Sequence, residues 1–133
     1  MDYLLDTNIC IYIIKKKPIN VFEKFEKLSI GDIEISSITL AELNYGVQKS
    51  QYPEKNLSAL NQFLTPLDIM EFDARASNEY GIIRAVLEKS GIPIGPMDTL
   101  IAAHAKSLGT TLVTNNTKEF ERVVGLNIEN WVN

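Results

Sequence analysis

Every segment of this chain that reads as a β-strand is followed by at least one amphipathic helix before the next, and few folds accept that order. Tyr3-Leu4-Leu5 reads as a buried strand. Helices follow over residues 8–16, ended ahead of Pro18, and over 19–29, where Val21, Phe22, Phe25 and Leu28 fall at helical spacing. Gly31-Asp32 breaks the pattern, and Ile33-Glu34-Ile35-Ser36 alternates as a second strand. Helices over 39–49 and 55–65, with Pro53 in the turn between them, lead to a short strand over 67–72. Asp73 stands where it can cap a long helix through Lys89, closed by Ser90-Gly91. Beyond the extended loop Ile92-Pro93-Ile94-Gly95-Pro96, a helix over 98–108 stops at Gly109, and Thr111-Leu112-Val113-Thr114 is a β-branched strand. This order implies an α/β protein whose mostly parallel sheet is covered by helices on both faces. Sites in such folds gather at the carboxyl ends of the strands, where Asp6 and Thr114-Asn115-Asn116 fall. With no repeat, low-complexity tract or linker, the 133 residues read as one domain, 1–133.

Composition narrows the partners less than it first suggests. The net charge of -4 argues against non-specific nucleic-acid binding, which runs on Lys and Arg contacts to phosphate. A divalent cation in an acidic cleft reverses the local sign, however. Lys15-Lys16-Lys17, Lys24 and Lys27 cluster near the first strand, as a solvated helix end or as an RNA-facing patch. The one cysteine, Cys10, lies in the apolar run Ile9 to Ile14 and reads as an inert core thiol. No apolar stretch is long enough to span a bilayer and no basic region precedes one, so a cytoplasmic protein without a membrane partner is expected.

Three carboxylates carry the chemistry. Asp6 in Leu4-Leu5-Asp6-Thr7-Asn8, Glu42 in Ile38-Thr39-Leu40-Ala41-Glu42 and Asp98 in Gly95-Pro96-Met97-Asp98-Thr99 sit where a strand or turn hands over to a helix. All have apolar neighbours, where an ionised side chain is costly unless something positive compensates it. Each also has a structural use. Asp6 can be an N-cap, although Thr7 or Asn8 could take that job. Glu42 closes a capping-box pattern with Thr39, yet its neighbours at helical spacing are mostly uncharged. Asp98 suits the positive end of a helix dipole, but it shares a face with Ile101, Ala102 and Ala105, the core side. A shared Mg2+ or Mn2+, which selects oxygen ligands, is the compensation that would serve all three.

Four segments in order then resemble one family. They are Leu4-Leu5-Asp6-Thr7-Asn8-Ile9, Ser36 to Gly46 around Ala41-Glu42-Leu43, Ile94 to Ala105 around Pro96-Met97-Asp98, and Leu112-Val113-Thr114-Asn115-Asn116-Thr117-Lys118-Glu119-Phe120. Across essentially the whole chain this resembles the PIN-domain ribonuclease toxins of the VapC family. The resemblance implies a three-layer α/β/α sandwich and a Mg2+- or Mn2+-dependent endoribonuclease. Carried over, Asp6 and Asp98 are metal ligands and Glu42 is the third acid. A further acid commonly follows the Thr-Asn pair of the last motif; Asn116 stands there, so Asn116 as a ligand and Glu119 as the acid share that assignment. Thr7, Asn8 and Thr114 are candidate donors that orient the carboxylates.

The implied partners are a VapB-like antitoxin whose C-terminal segment plugs the acidic cleft, a second copy in a homodimer, and RNA. The run Thr114-Asn115-Asn116-Thr117-Lys118-Glu119-Phe120 resembles the subgroup that cuts initiator tRNA in the anticodon stem-loop. Water as nucleophile would leave 5'-phosphate and 3'-hydroxyl ends. His104 and Trp131 read as packing residues. A haloacid-dehalogenase-like phosphatase would need a second aspartate where Asn8 stands, and a PIN-like binding module without turnover is the remaining alternative.

Overall fold

The computed structural model describes residues 2–29 and 31–133. Its elements are β1 (Tyr3–Leu5), α1 (Thr7–Lys15), α2 (Ile19–Glu26), β2 (Ile33–Ser36), α3 (Ser37–Gln48), α4 (Pro53–Leu64), β3 (Asp68–Met70), α5 (Ala74–Lys89), α6 (Pro96–Leu108), β4 (Thr111–Val113), α7 (Thr117–Phe120) and β5 (Ile128–Glu129).

The five strands stand in the order β3-β2-β1-β4-β5, and every neighbouring pair is parallel. Tyr3 lies opposite both Ile33 and Thr111, so β1 is the centre of the sheet. The chain builds outward from β1 through β2 and β3, then returns to the other side for β4 and β5. The strand order therefore reverses between β1 and β4, and their carboxyl ends border the crevice where ligands of open α/β sheets bind.

Adjacent strand residues face opposite ways, and the two leucines of β1 divide the interior accordingly. Leu5, with Ile33, Ile35 and Val113, packs under Ile9, Val21, Leu43 and Leu60 from α1 to α4. Leu4, with Leu112, packs under Ile83, Leu87, Ile101 and Ala102 from α5 and α6, and Phe120 of α7. Cys10 is buried in the first core, where burial, and after it the charge of Asp6, push its thiol up, as fits an inert side chain. Trp131 is buried with its ring edge-on to Tyr3, and its Nε1–H donates to Glu129 at 3.0 Å. No helix among the described residues is long and apolar enough to cross a membrane.

The expected elements form, with shifted ends. α3 starts at Ser37 because Ser36 caps it, accepting from the Ile38 N–H at 3.0 Å. α6 starts at Pro96, whose fixed φ suits a first helical position. The helix expected over 19–29 stops at Glu26, and the strand expected over 67–72 contracts to Asp68–Met70. α7 and β5 were not expected.

Candidate active site

Asp6 emerges from β1 with its N–H bonded to the Val113 carbonyl at 3.0 Å, which ties the turn to β4. Its side chain is itself the N-cap of α1, accepting from the Ile9 N–H at 2.9 Å, so neither Thr7 nor Asn8 takes that role. The Thr114 hydroxyl and the Asn8 N–H also donate to it. Burial raises the Asp6 pKa; these donors oppose the rise and the charge of Glu42 adds to it. Thr114 is in turn held, its Oγ1 accepting from the Asn116 N–H at 2.9 Å.

Glu42 does not fold back to close a capping box. Ser36 caps the helix, and Thr39 is buried inside it with its hydroxyl unpartnered among the described residues. The half-buried Glu42 reaches across to α1 instead, where Thr7 Oγ1 donates to its Oε1 at 2.7 Å. That bond joins residues 35 apart in sequence and lays the third acid beside the first.

Asp98 stands in the first turn of α6, half-buried, with Asn116 Nδ2 3.4 Å from its Oδ2. Its pKa is pushed up to about 6, first by burial, then by a hydrogen bond with Glu119 and that residue's charge, then by the charges of Asp6 and Glu42. Asp98 is thus within electrostatic reach of the other three sequence-expected acids, which come from the end of β1, from α3 and from α7. Asn116 presents its amide N–H2 to Asp98.

Among the described residues no three His, Cys, Asp or Glu side chains converge as a ready-made metal cage. Asp6 and Glu42 are instead held by hydroxyl and backbone donors. The donor set nonetheless suits a hard cation. It is all oxygen, and the lysine and arginine ion pairs of the described residues engage none of the four acids. Their mutual repulsion is what a divalent ion relieves. The lysines divide: Lys15 borders a groove that Glu42 also lines, whereas Lys24 pairs with Glu129 at 2.9 Å.

The PIN domain family matches residues 3–126. The "tRNA(fMet)-specific endonuclease VapC" of Shigella flexneri is 51% identical over 131 residues, 98% of each chain. The chain belongs to the PIN domain family, among its VapC ribonucleases. Two solved structures are similar over nearly the whole length. VapBC2 from Rickettsia felis, bound to a DNA fragment from its promoter, has a TM-score of 0.92 and 49% identity, covering 98% of this chain and 99% of that chain. DNA-bound VapBC from Salmonella typhimurium has a TM-score of 0.93 and 46% identity, covering 98% of each.

Within this PIN domain, the Thr7–Glu42 bond and the Asp98–Glu119 contact join segments too distant for any local pattern to pair them. His104, expected as packing, is buried and bonded to Ser36, a contact without any local signal.

Proposed function

We propose that this chain is a toxin of the VapC type, an endoribonuclease that hydrolyses RNA phosphodiesters with Mg2+ or Mn2+ at the acidic edge of its sheet. One observation carries the reading: Asp98 feels the charges of Glu119, Asp6 and Glu42 together. Asp6 and Asp98 hold the ion, with Glu42 as a third ligand or as the group that orients water, and Glu119 as the acid of the last motif. When bound, the ion lowers the pKa of water and offsets the charge that builds on the reacting phosphate. Thr7 and Thr114 keep Glu42 and Asp6 turned to the cleft, and Asn116 does the same for Asp98 or ligates through its carbonyl oxygen once the amide turns over.

Initiator tRNA is the proposed substrate, supported by the printed name of the Shigella relative. A VapB-like antitoxin is the proposed partner, supported by the VapBC neighbours. The groove beside Glu42, lined by Ile11, Ile14, Leu43 and Val47, suits an apolar antitoxin segment. A homodimer in the cytoplasm, where the RNA is, completes the reading.

The test is RNA cleavage by the purified protein. Cleavage is expected with Mg2+ or Mn2+, to stop with chelator, and to leave 5'-phosphate ends that map to the anticodon stem-loop of initiator tRNA. Asp6→Asn and Asp98→Asn are each expected to lower the rate about a thousandfold or more, as several kcal/mol of charge stabilisation at about 1.4 kcal/mol per tenfold require. Cleavage that persists in both variants, or cyclic-phosphate ends, contradicts the assignment; folded protein without any turnover points to the non-catalytic module.

A further inference from the structure

His104 sits mid-way along α6, only 1% exposed, six residues beyond Asp98 and on a different side of the helix. It does not touch the acids. Its Nδ1 lies 2.7 Å from the hydroxyl of Ser36, the last residue of β2 and the cap of α3. The backbone of Glu71, just past β3, also lies near enough to act on the ring. The Phe72 and His104 rings stand edge-to-face, with centroids 5.4 Å apart.

The bonds of Ser36 decide the direction of its contact with His104. A neutral imidazole has one N–H, and its bare nitrogen accepts from a hydroxyl. Burial favours the neutral ring. The Ser36 hydroxyl already accepts from the Ile38 N–H, so its proton points to Nδ1. A relay results: the first turn of α3 donates to Ser36, and Ser36 donates to His104. Ser37 adds a parallel tie, its hydroxyl accepting from the Phe72 N–H at 3.1 Å. Three elements are locked together at the sheet edge, and two of them, α3 and α6, carry Glu42 and Asp98.

We propose that His104 is a positioning residue of the acidic site: through Ser36 it sets how α3 stands against α6, and so how far Glu42 stands from Asp98. A core histidine chosen only for volume would leave Nδ1 without this pairing between elements. The inference rests on the site proposed above, and its test separates the two.

The readout is Mn2+ affinity, measured by calorimetry on the RNA-free protein, with kcat and KM followed alongside. His104→Asn places an oxygen where Nδ1 lies and keeps the Ser36 bond; His104→Gln reaches the Nε2 position and loses it. Affinity within about threefold of the parent is expected for His104→Asn, and a loss of about tenfold or more for His104→Gln, with kcat falling and KM for RNA unchanged, the range typical of groups that orient metal ligands. Equal affinity in both variants and the parent overturns the inference, as does a loss that follows thermal stability alone. Should neither fold, Ser36→Ala removes the same link and is expected to show the same loss; unchanged affinity there overturns the inference. Absence of Mn2+ binding by the parent overturns the site assignment as well, whereas binding by the parent that Asp98→Asn abolishes and His104→Gln leaves intact overturns this inference alone.

Discussion

Asp6 and Glu34 are both acids less than a tenth exposed, yet the protein treats them in opposite ways. Asp6, at the carboxyl end of β1, accepts from Ile9, Asn8 and Thr114 and stands near Glu42. Glu34, inside β2, has no hydrogen-bond partner at either carboxylate oxygen among the described residues, and burial raises its pKa. A buried acid is thus not by itself a sign of a site. What distinguishes the edge of the sheet is that several acids gather there and that donors from other elements bond to them. Glu34 is a cost to the fold, Asp6 a supported cost that a cation can repay.

Removing a donor is the strongest way to erase that difference. Thr7→Val takes the hydroxyl from Glu42 while keeping shape, leaving Glu42 as poorly served as Glu34. A loss of about 10–100-fold in cleavage rate is expected, with circular dichroism unchanged. A rate equal to the parent's would show that Glu42 needs no orienting.

Acid should weaken the site next. With its pKa at about 6, Asp98 takes up a proton as pH falls through that value, and the proton competes with the metal. Mn2+ affinity is expected to be level above about pH 6.5 and to fall about tenfold per unit below about 6. The sign for folding is the reverse. A carboxyl with a raised folded-state pKa stabilises the metal-free protein most below its unfolded value of about 3.9, and that contribution is lost as pH rises through about 6. Added Mn2+ restores it at neutral pH. Urea titrations with and without Mn2+ across this window check both signs.

The smallest expected effect lies at Glu34. Glu34→Gln is expected to stabilise the protein by about 1 kcal/mol at neutral pH, since it removes a buried charge whose oxygens accept no hydrogen bond among the described residues. The gain should close below about pH 4, where the parent's carboxyl is also neutral, because its pKa is raised in the fold. Denaturant midpoints read this directly, with cleavage unchanged; a destabilised variant would mean that the charge is supported after all.

Local patterns exposed most of the fold and about half of the site's construction. The strand at Tyr3 stood out by apolar content, that at Ile33 by alternation and that at Thr111 by β-branching, and Asp73 before the long helix was legible as a cap, which its bond to the Ala76 N–H at 3.1 Å bears out. α7, at four residues, is too short for periodicity to register, and β5 is two residues that pair only because β4 offers them an edge. At α3 two caps competed: Thr39 to Glu42 mimics a capping box, and only the end of β2 at Ser36 decides for Ser36. Asp6 and Asp98 were marked by neighbouring apolar residues. Their donors were not fully marked, because Thr7–Glu42 and Asn116–Asp98 are contacts between elements, set by how helices lie on the sheet. The difference between Asp6 and Glu34 is of the same kind.

Crystals soaked in Mn2+ and measured at the manganese absorption edge put the central claim to its most direct test. One anomalous peak is expected within about 2.2 Å of oxygens from both Asp6 and Asp98, lost in Asp98→Asn crystals. A fully occupied peak elsewhere, or one that touches only one of these two carboxylates, would contradict the account.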